Sequence, residues 1–520
     1  MGDGFLVEFP SVVNAVACAV AIQKAMAARN EDLTRDRQAQ LRIGIHLGDV
    51  IAEADDLYGD GVNVAARIEG LASPGGVVIS GMVHDNIGSR LELAFEDIGE
   101  QQLKNIVRPV RVYRLSTASQ PAAPTPQPER TKPSVAVLPF TNMSDDDGQE
   151  FFVDGLTEDI ITDLSNVPGF FVIARNSTFA YKGKAVDVRK IAQELGVRYI
   201  LEGSVRRSAA RLRINAQLID AAGGGNHIWA ERFDKDIVDI FQVQDEVTKK
   251  VVDAIARHLK VEVAVVVQSQ HPRNLEAYDL CVKSRNLFSV SREANLEAEE
   301  MLEQALILDP GYAEAHWQLA MVRAFKWLQW GDSQQPNRAW SLASAQAALE
   351  ANPQDSNANW VMGYVLLNER RWDEARRYYE LAIHLNPNNA EAHAPFANFN
   401  VLTGKPSEAV VLAERALQLN PRPPPWYYWA QGFALVANGQ FDDAIRTLKH
   451  PDVYRTVARR VLAAALALSG QRDEAAREAR YFLSSFPGWR ISTWMGTQPF
   501  QYNRDIQFWV DAYRLAGVPD

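Results

Sequence analysis

Residues 360–387 read WVMGYVLLNERRWDEARRYYELAIHLNP, and they decide the organisation of the carboxy-terminal half. The stretch ends in Asn386-Pro387 and carries small residues at Gly363, Ala375 and Ala382. Asp-Pro or Asn-Pro recurs at Pro310, Pro353 and Pro421, so the series is spaced by 43, 34 and 34 residues. Alanine stands five residues before each proline, at Ala305, Ala348, Ala382 and Ala416. It stands twelve residues before three of them, at Ala298, Ala375 and Ala409, and Ala475 precedes Pro487 by the same interval. Small side chains at such spacings let two antiparallel helices approach closely, and the proline ends the second one. The longer spacing of 43 implies an insertion, which the sequence places around 330–337.

With Gly363, Ala375, Tyr379, Ala382 and Pro387 at the motif's positions, this half resembles the tetratricopeptide repeat. The resemblance implies an all-α solenoid of about six repeats over 279–489, followed by a capping tail over 490–520. It also implies a concave groove for a protein or peptide partner, although an array can equally pack against its neighbouring domains. The aromatic run 423–429 (PPPWYYW) reads as a repeat junction whose rings fill the core.

Outward from the repeats, residues 116–133 read STASQPAAPTPQPERTKP, with five prolines in eighteen positions, and form an extended linker. The chain of 520 residues is 47% hydrophobic and 23% charged, which excludes fibrous and wholly disordered classes. Its formal net charge of −11 argues against nucleic acid as a partner. The longest apolar runs, near Val12–Val20 and Val461–Leu468, fall short of the roughly 20 residues of a membrane span. Cys18 and Cys281 are the only cysteines, so a reducing, cytoplasmic setting is expected.

Between linker and repeats, 134–263 reads as a small α/β domain, with 264–278 as a connector. Ser134–Phe140 is a buried strand, a helix opens at Gly155, and Tyr199–Val205 pairs with Leu212–Leu218 around a basic turn. The pieces VLPFTN, DGLTEDI, ARNSTFAYKGK, LEGSVRR and IWAERFD resemble a TolB-like amino-terminal domain. Lys182, Arg206, Arg207 and Arg211 form a basic group in the sequence, read as a solvated turn rather than a phosphate site.

The first 115 residues carry the recognisable chemistry. A helix spans about Val12–Arg29, a strand covers Leu41–Ile51, and a glycine turn from Asp56 runs into a helix ending at Glu69. Asn63 and Arg67 are four apart and share one helix face. An amide and a guanidinium there could hold a sugar oxygen and a phosphate. The motifs GDGFLVEF, RIGIHLGDV, DLYGDGVNVAARIE and GGVVIS resemble, in order, the class III nucleotidyl cyclase catalytic domain. That resemblance implies a ferredoxin-like α/β sheet and conversion of ATP to cyclic AMP and pyrophosphate at a homodimer interface. It assigns Asp3 to a metal (Mg²⁺ or Mn²⁺), Asp56 to adenine preference, Asn63 to the ribose and Arg67 to the phosphate in the transition state. His46 on the RIGIHLGDV strand is given a core or edge role.

In the family, a first metal aspartate lies on a strand before Asp3, and an adenine-reading lysine lies four residues before it. Both positions would precede Met1, so 1–115 is read as the carboxy-terminal part of the domain, and the 520-residue chain is expected to lack activity as a homodimer. A start codon upstream of Met1, a truncated gene and a docking pseudo-cyclase compete, and the abrupt start within a motif favours the first. The module order predicts a bacterial signalling protein in which the repeats regulate the cyclase. The rival from another class is a noncatalytic scaffold that binds a protein through its repeats. A GTP-specific cyclase is disfavoured by Asp56.

Overall fold

The computed structural model describes residues 6–9, 11–30, 41–48, 51–53, 56–58, 60–87, 95–101, 103, 106, 109–115, 133–144, 147–208, 211–259, 271–288, 290–329, 332–451, 453 and 458–520. The chain divides into two compact units, 1–129 and 130–520. As expected, α/β structure comes first and a long helical array follows.

The first unit begins with α1 (Val12–Asn30) and β1 (Ile43–Ile45), followed by a hairpin of β2 (Ile51–Glu53) and β3 (Asp56–Tyr58). Then come α2 (Asp60–Glu69), β4 (Val77–Ser80), α3 (Gly81–Ile87), β5 (Phe95–Gln101) and β6 (Val110–Leu115). The single strand expected over Leu41–Ile51 is therefore two short ones. Strand order is β1-β4-β6-β5, with β1 parallel to β4 and the other pairs antiparallel. β4 (VVIS) is buried throughout because both faces of the sheet are covered. Val77 and Ile79 pack with Val16 and Ala19 of α1 and Val83 of α3, whereas Val78 faces the other way with Val64 and Ile68 of α2.

The second unit opens with β7 (Ser134–Val137), β8 (Thr141–Asn142), α4 (Glu150–Ser165), β9 (Phe171–Val172), α5 (Arg175–Phe179) and α6 (Val188–Leu195). β10 (Tyr199–Arg207), β11 (Arg211–Asp220), β12 (Asn226–Asp236) and α7 (Ile240–Leu259) follow. α4 starts five residues before the expected Gly155, so it buries Phe152 and Val153 as well. The expected antiparallel pair exists, with Tyr199 opposite Asp220 and Val205 opposite Ile214. The sheet order is β12-β11-β10-β7-β9, with β8 continuing alongside β10.

Among the described residues six antiparallel helix pairs succeed it: α8 (Leu275–Ser284) with α9 (Arg292–Leu308), α10 (Ala313–Leu328) with α11 (Gln334–Ala351), and α12 (Ser356–Asn368) with α13 (Trp372–Leu385). The others are α14 (Ala390–Leu402) with α15 (Pro406–Leu419), α16 (Pro425–Ala437) with α17 (Phe441–Leu448), and α18 (Ala458–Leu468) with α19 (Arg472–Ser485). α8 begins within the stretch read as connector, and the remainder of that stretch lies largely outside the described residues. The anchor residues Ala375, Tyr379 and Ala382 are fully buried, and Gly363 sits so close to Tyr379 that a Cβ would lie 2.9 Å from its ring. The insertion behind the 43-residue spacing is not one loop: α10 has 16 residues against 13 in α12, and α11 has 18 against 14 in α13. The loop between α10 and α11 supplies the rest. α20 (Ile491–Thr497) and α21 (Asn503–Leu515) close the end, with the Trp509 ring stacked on Phe433 at 4.4 Å. In 423–429, Tyr427 is buried, whereas Trp426 is exposed.

The repeats also complete the core of the α/β module. Tyr278 and Val282 of α8 join Phe152, Leu156 and Phe233 under one face of its sheet. Ala390, Ala394, Leu419 and Tyr427 join Ile173, Ile191 and Ile200 on the other. Arg285, with its side chain 10% exposed, bridges Glu158 and Asp159 of α4 at 3.2 Å and Glu314 of α10 at 2.6 Å. Asn388 donates to the carbonyls of Ser165 and Phe170, both at 3.0 Å, and Asn386 donates to Ser165 Oγ at 2.7 Å. Ser177 donates to Asn420 Oδ1 at 2.6 Å.

Asn388→Ala orphans two buried carbonyls, each costing about 1–3 kcal/mol. We expect a lower melting temperature for the transition of 133–520 in the full chain, read by calorimetry, and an unchanged value would show the seam to be dispensable. His393 is buried with Nε2 3.1 Å from the Pro387 carbonyl, and burial pushes its pKa down to about 4. Because the unfolded histidine takes up its proton at about 6.5, stability attributable to His393 is complete above that pH. It is lost as pH falls towards 4, by up to about 3 kcal/mol. Burial raises Asp355 to about 6 and Glu391 to about 7, which opposes this trend. The effect is therefore read as a difference: His393→Gln should lose less stability than the wild type between pH 6.5 and 4 in urea titrations.

Candidate active site

The helix α2 is amphipathic, with Val64 at 7% and Ile68 at 0% exposure on one side and Asn63 and Arg67 exposed on the other. Its docking is set by Gly44 on β1: a Cβ there would lie 2.4 Å from Glu69 N and 2.7 Å from Ala65 O, which are backbone atoms. Only a glycine lets the helix lie this close to the strand. The packed face thus fixes α2 and turns the amide and guanidinium outward together. Asp56 opens β3, opposite Glu53 in the hairpin register, and α2 starts two residues after that strand. Asp56 therefore sits on a strand rather than in the turn the sequence suggested. Asp3 lies outside the described residues.

His46 follows β1, and its Nδ1 lies 2.8 Å from Oγ of the buried Ser80 at the end of the parallel β4. Burial lowers its pKa and favours the neutral ring. The sequence carried no signal for this pairing, since it depends on how two strands 34 residues apart align. Among the described residues no group of three His, Cys, Asp or Glu side chains is placed to hold a metal. The described residues thus do not make up a metal-ligand set, and the role of Asp3 rests on the resemblance.

The basic group of the α/β module is dispersed. Lys182 pairs with Asp154 at 2.6 Å and Glu150 at 2.7 Å, and Arg211 pairs with Asp236 at 3.3 Å. Arg207 pairs with Asp279 at 3.2 Å and covers the Phe152 ring.

Residues 1–117 match the model of the adenylate and guanylate cyclase catalytic domain. This stretch is thus similar to the class III cyclase catalytic domain. Residues 131–253, overlapping the 134–263 expected to be TolB-like, match the second domain of HilA/YgeH-like transcriptional regulators, and 356–389 match a tetratricopeptide repeat. A Rhizobium meliloti protein named "Putative adenylate cyclase 3" is 50% identical over 382 residues, which cover 72% of this chain and 65% of that protein. A pH-sensitive adenylate cyclase of Mycobacterium tuberculosis is 33% identical over 79 residues, 15% of this chain and 20% of its own length. A solved adenylate/guanylate cyclase/hydrolase from Silicibacter pomeroyi is 44% identical, covering 22% of this chain and 68% of that one, with a TM-score of 0.21. The chain thus spans about two thirds of the length of the first relative.

In the cyclase domain, Gly44→Val should push α2 off β1, because two backbone atoms cannot yield to a side chain. Hydrogen exchange should then accelerate across 60–69 while 133–520 stays protected. Unchanged exchange in α2 would show that the close approach is not needed.

Proposed function

We propose that this protein is a signalling adenylate cyclase that converts ATP to cyclic AMP and pyrophosphate at a homodimer interface. The observation that carries this reading is the outward pair Asn63 and Arg67 on a helix whose other face is locked into the sheet. Asn63 orients the ribose so that its 3′-hydroxyl faces the α-phosphate. As that oxygen attacks, the bond to pyrophosphate breaks and negative charge grows on the phosphate oxygens, where the Arg67 guanidinium stabilises it. Asp56 is proposed to favour adenine over guanine, and Asp3 to be a ligand of Mg²⁺ or Mn²⁺. The repeats are proposed to regulate this reaction by binding a protein or peptide, in the cytoplasm.

Regulation cannot be tested by deleting the repeats. Removing 279–520 takes away Val282 and Arg285, which close the α/β module, so lost activity would also report unfolding. The test is ATP cyclisation by the protein isolated from its own cells, with Mg²⁺ or Mn²⁺ supplied. Asn63→Ala and Arg67→Ala should each lower kcat by about 10²–10³ without changing the melting temperature. Full turnover in both variants would remove this helix face from the site. No cyclic AMP from the native protein would leave the scaffold reading in its place.

A further inference from the structure

The α/β module holds a cleft that the cyclase reading leaves unused. We propose that it binds a small neutral ligand rich in hydroxyl groups, a saccharide or polyol. The cleft measures about 860 Å³, within the ~300–1,000 Å³ common for small-molecule sites. Its floor is the face of the sheet turned away from α4 and α7. There the register aligns Thr141, Ser204, Asn215 and Arg232 in one row across four strands, with Glu202 and Gln217 in the next.

This floor is an ordered hydrogen-bonding surface. Asn215 Nδ2 donates to Ser204 Oγ at 3.0 Å, and Gln217 Nε2 donates to Glu202 Oε1 at 2.5 Å. Each amide is thereby oriented and keeps its carbonyl oxygen as an acceptor, and Glu202 keeps a second oxygen. The wall beside it is apolar, from Leu138, Val188 and Ile191. A sugar ring has this same duality, with C–H groups on one face and hydroxyls around the edge.

Charge narrows the class further. Glu202 lines the cleft and disfavours an anion, whereas Glu231 alternates with Arg232 on β12 and pairs with Lys250 of α7 at 3.3 Å on the other face of the sheet. Of the lining cations, Lys182 is held by Asp154 and Glu150, Arg232 donates to Asp234 at 2.6 Å, and Lys184 is exposed, which is why the anionic probe belongs in the test. An apolar ligand would bury the carbonyl oxygens of Asn215 and Gln217 without partners.

The roof ties the cleft to the repeats. Tyr181, buried on the lining, donates to Glu194 at 2.5 Å, and Arg422 donates to the same carboxylate at 2.6 Å while lying 4.7 Å over the tyrosine ring. Arg422 belongs to the junction between α15 and α16, so occupancy of the cleft would be felt at a repeat boundary.

The experiment is saturation-transfer NMR and titration calorimetry on the full chain with glucose, N-acetylglucosamine, trehalose and myo-inositol, and inorganic phosphate as the anionic probe. At least one of the four should bind, with Kd of about millimolar, and phosphate should not. Asn215→Leu and Gln217→Leu, on the solvent side of the sheet, should each weaken binding at least about tenfold with melting temperature unchanged. If either leucine variant is unstable, Gln217→Glu serves instead, because it places two carboxylates side by side and should weaken binding to the same degree. The proposal is overturned if none of the four binds, if phosphate takes their place, or if binding survives every folded variant. These readouts are independent of cyclase activity.

Discussion

Arg285 is the interaction on which the larger unit depends. Its side chain is 10% exposed and stands among Glu158, Asp159 and Glu314, with Tyr278 also donating to Asp159 at 2.6 Å. A guanidinium can leave water only where its fork of donors is met, and here the acceptors come from two different modules. Glu158 and Asp159 belong to α4, whereas Glu314 belongs to the second repeat. Without the arginine, three carboxylates would face one another in a dry seam. Without either module, the arginine would be stranded.

The same dependence appears in the apolar packing. β7 is buried on both faces, so its sheet needs cover on both sides. α4 and α7 cover one side with help from α8, while Ile173 and Ile200 on the other meet Ala390, Ala394 and Leu419 of the fourth repeat and Tyr427 of the fifth. Part of the array's surface is therefore committed to its own chain. The Asn-Pro junctions take part directly: Asn386 and Asn420 end helices and also bond Ser165 and Ser177. A motif that reads as a helix stop is at the same time a docking point.

That double use marks the boundary of what the sequence makes legible. The repeat period is written in residues whose neighbours lie within 34 positions, so Ala375, Tyr379 and Gly363 announce their own packing. The outward face of α2 is legible for the same reason, because Val64 and Ile68 alternate with Asn63 and Arg67 at helical spacing. The seam is not legible, since Asn388 and Phe170 are 218 residues apart and no periodicity connects them. Nor is the β2–β3 hairpin, whose residues 51–58 (IAEADDLY) hold few strand formers. The ion-pair partners of the basic residues near Arg207 are hidden for a related reason: their acids, such as Asp279, come from elsewhere in the chain.

A seam of this kind limits how the repeats can act. Allosteric coupling amounts to roughly 1–3 kcal/mol. Opening the seam would break the Arg285 pairs and the Asn388 bonds, whose groups would regain water, and would also uncover two apolar contacts, whose exposure carries most of the cost. A partner that pulled the module free would need more energy than coupling ordinarily supplies. The contacts at the edge are different. Arg422 and Glu194 have side chains 45% and 31% exposed, and water can replace their bond at little cost. Adjustment between the repeats and the α/β module is thus cheapest at the Tyr181–Glu194–Arg422 contact, which is also where the roof of the cleft is held.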